Sequence, residues 1–402
     1  MEHGMTQPTL SLKNARMALL ALATGGFAIG TSEFASMSLL PQMAKGLGVD
    51  EPTAGHVISA YALGVVVGAP LIAVLGARFS RRLLLIALMG FFALAHCLTA
   101  FAPDLNWLLG VRFLSGLPHG AYFGVGSLVA ASLVPRSQRT QAVARMMLGL
   151  TSATIAGVPF ANVIGQSFGW RWCFTIVAVL AFITAMMILR FVPRDTEDPD
   201  ASPLRELGAL AKPQVWLTLL IGAIGFGGMF SVYTYLASTL TEVTGASSSM
   251  IPVALALMGV GMTIGTLVCS WAADRALMPA AGVTLVYAAI VMSLYTIASH
   301  HLSSMLMIIV LIGGVGGLSS ILQTRLMDVA GDAQTLAAAL NHSAFNAANA
   351  LGPWLGGMAI TAGYGWESTG WVGMGLAIGG LLIWFASLML GRSEARRKKL
   401  PA

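Results

Sequence analysis

The sequence predicts an all-α membrane protein of twelve transmembrane helices, folded as two pseudo-symmetric six-helix halves. Three observations carry this prediction. Of 402 residues, 56% are hydrophobic and only 9% charged, against roughly a quarter charged in soluble domains. Apolar runs long enough to cross a ~30 Å hydrocarbon layer as helices recur twelve times. Glycine, charge and tryptophan landmarks also repeat between the two halves of the chain at a near-constant offset. The alternating segments of a β-barrel are absent, so each crossing must satisfy its backbone hydrogen bonds within a helix.

The runs fall at 16–40, 54–76, 83–101, 106–134, 142–167, 172–192, 215–240, 250–272, 280–298, 304–327, 336–362 and 369–390, numbered here as spans 1 to 12. The first is too long for a signal-peptide core and is expected to remain as an anchor. It contains Glu33, whose charge inside hydrocarbon costs at least ~2.5–3.5 kcal/mol and therefore calls for a partner, a wet cavity or an exchangeable proton. Cys97, Cys173 and Cys269 lie inside apolar runs without CxxC spacing, which predicts packing rather than redox or metal chemistry.

Charge sets the orientation. Of 22 Lys and Arg, 16 fall in the N-terminus, the loops 2/3, 4/5, 6/7 and 8/9 and the C-terminus, and two, Lys45 and Arg171, in the other set. Both termini are thus expected in the cytoplasm. The net charge of +6 is spread over short loops, a topology signal and not a nucleic-acid footprint. A proline-punctuated acidic stretch with Asp195, Glu197, Asp198 and Asp200 divides the chain into an N-terminal half (1–192), a linker (193–213) and a C-terminal half (214–402). Across that linker, Gly64, Gly68, Ala77 and Arg78 correspond at an offset of 197 to Gly261, Gly265, Asp274 and Arg275, and Gly169, Trp170 correspond to Gly365, Trp366 at 196. Two parallel repeats around a shared mid-membrane site are a transporter design.

These residues resemble the major facilitator superfamily over essentially the whole chain. The loop after span 2 is similar to its Gly-xxx-Asp-Arg-x-Gly-Arg-Arg signature through Arg78, Arg81 and Arg82, with Ala77 in place of the Asp and Ser80 in place of the second Gly. The second half keeps Asp274 and Arg275. Span 4 (Arg112, Gly116, His119, Gly120, Tyr122, Gly124) and span 5 (Gly149, Gly157, Pro159) resemble the motifs of twelve-span drug:proton antiporters, with Ala161 where those carry a further glycine. Gly-Thr-Ser-Glu-Phe around Glu33 and Ser-Gly-Leu-Pro-His-Gly around Pro118 are similar to the arabinose-efflux-permease-like and chloramphenicol-resistance-like branch.

The resemblance implies the major facilitator fold, with spans 1 and 4 lining a cavity in which Glu33 and Arg112 sit at similar depth. Glu33 is then a proton carrier or one half of a static ion pair, and a carrier needs the cost of burying its charge and the pull of the arginine nearly balanced. His119 is a proton relay or a packed histidine. Phe226, Phe230 and Tyr233 share one face of span 7 at i, i+4 and i+7, and with Tyr122 and Phe123 they offer an aromatic wall for an uncharged organic molecule, or packing alone. His342, Asn346 and Asn349 share a face of span 11, as helix glue or as part of the path. Arg78, Arg81, Arg82, Asp274 and Arg275, with Asp328 as a candidate acid, form a cytoplasmic gate or simple topogenic charge. Gly157 and Pro159, like Gly352 and Pro353, provide a hinge or close packing.

No P-loop, Gly-x-Ser-Gly turn or His-Glu-x-x-His pair is present, so no enzyme is predicted. No metal or cofactor is expected beyond the proton gradient. The expected function is proton-coupled export of a small neutral or amphipathic organic compound, a sugar or a drug, by alternating access across the bacterial inner membrane. Its partners are cargo, protons and lipid, and it works as a monomer. Uptake of a sugar-like solute by symport or facilitation is the alternative.

Overall fold

The computed structural model describes residues 12–76, 79–135, 139–194, 208–330 and 334–397, and every regular element among them is helical. Span 1 is Leu12–Ser38, extended by the short helix Leu40–Leu47. Spans 2, 3 and 4 are Glu51–Leu75, Arg81–Ala100 and Leu105–Ser132. Span 5 is Arg139–Ser152 and Val158–Phe168, joined by a π-turn at Ala153–Gly157, and span 6 is Trp170–Phe191. In the second half, span 7 is Pro213–Gly225 followed by Gly227–Ser238 and a π-turn at Thr239–Val243. Spans 8 and 9 form the continuous Ile251–Ala298, parted at Ala276 where φ −157° and ψ 86° leave the helical region. Span 10 is Leu302–Gly313 and Leu318–Ala330, span 11 Gln334–Thr361 and span 12 Ser368–Arg397.

Nine helices among the described residues are long and apolar enough to cross a membrane, and one of them holds spans 8 and 9 together. Spans 4 and 11 fall outside that set because they carry the polar side chains of the molecular centre: Arg112 and His119 on one, Asn341, His342, Asn346 and Asn349 on the other.

The repeat is visible as matched contacts. A Cβ on Gly64 would stand 2.1 Å from the Phe113 carbonyl oxygen, and one on Gly261 2.2 Å from that of Val310; both the glycines and their partners are 197 apart. Gly68 meets Leu117 at 2.2 Å and Gly265 meets Gly314 at 2.1 Å, at the same offset. Span 2 thus lies on span 4 as span 8 lies on span 10, backbone to backbone. The turns repeat too: Gly48 and Gly245 take φ 69° and 67°, left-handed values that favour glycine.

The acidic linker residues and Arg78 lie outside the described residues. The linker's far end is anchored by Lys212, which donates to the Ala330 carbonyl at 2.9 Å and so occupies the C-terminal end of span 10.

Spans 2 and 11, 5 and 8, and 1 and 7 join the halves. At the end of the bundle opposite the termini the join is sealed. Glu51 accepts from Ser238 across it, Gln166 donates to the Ser248 carbonyl at 3.3 Å, and the Tyr235 ring fills the space left by Gly55 and Gly357.

At that same end Asp50 caps span 2, accepting the Thr53 N–H at 2.7 Å. The Thr53 hydroxyl, and after it this backbone bond, hold the Asp50 carboxyl below its ordinary range. The folded value lies under the unfolded one, so the cap stabilises at neutral pH and is lost only as pH falls through the folded value. Asp50→Ala is therefore expected to cost about 1 kcal/mol near pH 7, read as a lower melting temperature, with a smaller difference in acid.

Candidate functional site

Glu33 is buried, 6% exposed, on the side of span 1 that faces the other half. Its Oε1 accepts a hydrogen bond of 3.1 Å from Asn349 Nδ2 on span 11, so the acid of the first half is held by an amide of the second. The Oδ1 of Asn349 has no partner among the described residues, nor do Asn346 Oδ1 and the Tyr233 hydroxyl. Buried polar atoms left open cost on the order of 1–3 kcal/mol each, a cost that water, a proton or a ligand removes.

Arg112 is fully buried on span 4 and within electrostatic reach of Glu33. Its guanidinium lies 4.3 Å over the Tyr61 ring and 5.3 Å from that of Phe174, and Nη1 donates to Ser32 Oγ at 3.2 Å. Nε and Nη2 have no partner among the described residues. Ser32 in turn meets His96 Nε2, while His96 Nδ1 donates to the Phe92 carbonyl at 2.9 Å. A neutral ring bonded in that way presents Nε2 as acceptor, which turns the Ser32 hydroxyl proton toward the histidine and its lone pairs toward the arginine. The expected facing of Glu33 and Arg112 thus takes a particular form: each is engaged elsewhere, the arginine within its own half and the acid across the seam.

A second branch leads from Tyr61, whose hydroxyl is hydrogen-bonded to His119 Nδ1 at 3.0 Å. The His119 ring is 6.0 Å from His342, which stacks on Phe123 at 5.2 Å and 7°. His119, Phe123 and His342 therefore bridge spans 4 and 11. Asn346, one turn further, donates to the His342 carbonyl at 3.0 Å.

The aromatic wall forms mainly on span 7. Phe226 packs on Phe230 at 5.3 Å and on Phe345 of span 11 at 4.6 Å, while Phe34, next to Glu33, lies 5.4 Å from Tyr233 and 6.3 Å from Phe230. Tyr122, expected on this wall, stands elsewhere. It donates its hydroxyl to the Leu22 carbonyl at 2.8 Å and fills the gap over Gly25, a packing position inside the first half.

Arg275 turns back along its own helix, donating to the Trp271 carbonyl at 2.9 Å with its guanidinium 3.7 Å over that indole, and Asp274 and Asp328 are exposed. The expected pairing with Asp328 is not made in this arrangement. Arg82 donates to the Leu189 carbonyl near the end of span 6. Of the hinge residues, Gly157 ends the π-turn and admits the Phe27 ring and Thr31. Pro159 stands just after it, in the first turn of the helix that follows. Gly352 lies on the Gly227 carbonyl, and the Pro353 carbonyl accepts from Tyr235 at 3.0 Å.

Ser32, Phe34, Tyr61, His96 and Phe345 were not among the residues expected at the site. Ser32 and Phe34 flank Glu33, and His96 interrupts an otherwise apolar span 3, which were the available signals.

Helical spans in two matched halves, meeting on a buried acid, a buried arginine and a wall of aromatic rings, are the arrangement of a membrane transport protein. The Major Facilitator Superfamily profile matches residues 22–335 and 238–402, and the chain belongs to that family. The inner membrane transport protein YdhP of Escherichia coli (strain K12) is 40% identical over 370 residues, covering 92% of this chain and 95% of that protein. A chloramphenicol resistance protein of Streptomyces lividans is 34% identical over 342 residues, 83% of this chain and 87% of its own. The crystal structure of a bacterial homologue of the human lysosomal transporter Spinster, inward-facing and occupied, shares the fold at TM-score 0.70 and 17% identity, covering 94% of this chain and 98% of that one.

Proposed function

We propose that this protein exports a small neutral or amphipathic organic compound across the bacterial inner membrane in exchange for protons, with both termini in the cytoplasm and the monomer as the working unit. The observation that carries the reading is the Glu33–Asn349 bond. A protonated carboxyl suits both ends of that amide: its carbonyl oxygen accepts from Nδ2 and its O–H donates to the open Oδ1. Release of the proton leaves a carboxylate that Oδ1 repels and that the open Nε and Nη2 of Arg112 attract. Loss of a proton then undoes a bond between the halves and makes one within the first half, which is the coupling that alternating access requires.

The sealed end supports a structure closed toward the far side, and the Asp274 and Arg275 gate would close in the opposite state. Phe34, Phe226, Phe230, Tyr233 and Asn346 would hold the cargo, an aromatic wall with few polar groups suited to an uncharged molecule. The chloramphenicol resistance protein among the relatives fits that chemistry.

The test is counterflow in proteoliposomes. The purified chain should exchange labelled neutral sugars or amphenicols, and in inside-out vesicles an acid lumen should drive the cargo inward while protons leave. Cargo and protons moving in the same direction would make it a symporter, and exchange indifferent to the pH gradient a facilitator.

A further inference from the structure

Away from the centre, spans 1 and 5 enclose a groove of about 670 Å³ near the end that carries the termini. At its floor the two helices touch backbone to backbone, since a Cβ on Gly149 would stand 1.9 Å from the Ala23 carbonyl oxygen. Leu20 and Leu148, 52% and 58% exposed, form its sides, and Phe27 closes its inner end. The exposed apolar strip of span 5 continues from Leu148 through Ile155, Phe160 and Val163, whereas Met146, Ala153 and Asn162 are buried. On a membrane-spanning helix such a strip faces hydrocarbon, so the groove opens to lipid and not to the seam where Glu33 meets Asn349.

Two arginines stand in this groove. Arg16 and Arg145 both line it, and the other polar lining among the described residues is Thr24 and Ser152, with no carboxylate. Each lies four to six residues inside the start of its helix, roughly 6–9 Å at 1.5 Å per residue, the depth of phospholipid head groups. A guanidinium there is short of water on the apolar side and is matched in charge and geometry by a phosphodiester, which accepts two parallel N–H bonds.

We propose that this groove is a binding site for an anionic phospholipid, its phosphate between Arg16 and Arg145 and one acyl chain along Leu20, Phe27 and Leu148. The site grips span 1 at the end opposite to Glu33 and ties it to the half of span 5 that precedes the π-turn. Its occupant therefore bears on the two helices that meet the second half at their other ends. The lipid site is independent of cargo and of the direction of coupling.

The experiment is native mass spectrometry and thermal unfolding of the purified full chain in mixed micelles carrying phosphatidylglycerol or phosphatidylcholine. The wild-type chain should retain phosphatidylglycerol and melt higher with it than with phosphatidylcholine. Arg16→Gln/Arg145→Gln should bind it at least ~10-fold more weakly and lose the preference, while Lys45→Gln at the far end keeps it. Leu148→Trp, which fills the acyl groove and leaves both arginines, should weaken binding likewise and covers the case in which the double variant does not fold. An unchanged lipid preference in either variant overturns the proposal. Glycerol phosphate displacing the lipid and stabilising equally would overturn it as well, because the site would then hold a free anion.

Discussion

Glu33→Gln is expected to abolish accumulation driven by a pH gradient while leaving exchange of cargo nearly intact. Glutamine has the shape of the protonated acid and offers Asn349 the same pair of bonds, an oxygen for Nδ2 and an N–H for Oδ1, so the seam closes as before. It has no proton to release and no charge for Arg112, so the driving force has nothing to act on. Gradient-driven uptake into inside-out vesicles should fall at least ~10-fold, equivalent to about 1.4 kcal/mol of lost coupling, with counterflow within about threefold of wild type. The Asn349→Leu variant supplies the complementary case, because it keeps the acid and removes the partner: coupling should weaken and its pH dependence shift, without disappearing. If Glu33→Gln responded to the gradient as the wild-type chain does, the acid would be a structural element and the carrier would lie elsewhere.

The parts of this molecule that depend on short-range pattern could be read from the sequence. Run length and hydropathy place the twelve crossings, and the offset of 197 places Gly64 and Gly68 opposite Gly261 and Gly265 as the contacts have them. Depth along a helix is also a local property, which is why Glu33 and Arg112 could be put at one level. What pattern does not carry is the azimuth of each helix and the pairing between distant ones. Asn349 lies 316 positions from Glu33, and nothing in either run says that they meet. For the same reason Tyr122 could be placed on the right helix and the wrong face, since aromatic residues at adjacent positions of span 4 point to different neighbours, Tyr122 to Leu22 and Phe123 to His342. The pairing expected of Arg275 with Asp328 is likewise a contact between distant positions, which local pattern does not carry. The π-turn that ends at Gly157 is a backbone choice that a glycine permits without announcing.

Valine at Gly68 or at Gly265 is expected to unfold the half that contains it. The new Cβ at Gly68 would stand 2.2 Å from the Leu117 carbonyl oxygen and 2.5 Å from its Cα; at Gly265 the distances to Gly314 are 2.1 Å and 2.6 Å. In both cases the obstacle is the backbone of a neighbouring span, which cannot swing aside as the Met146 side chain over Gly126 can, so the helices must part along their length. Separation forfeits the close contact on which helices in lipid depend, because lipid offers no hydrophobic drive to hold them together. The cost should be ~3 kcal/mol or more for each substitution, seen as a melting temperature far below wild type in detergent or as failure to purify as a monodisperse species. Gly110→Ala and Gly375→Ala, where an added Cβ meets nothing within 4 Å, should melt close to wild type. The two valine variants should also be similar in size of effect, since they break the same contact in the two copies of one repeat. A large loss at Gly68 beside a tolerated Gly265→Val would mean that the halves, though built alike, are not held together alike.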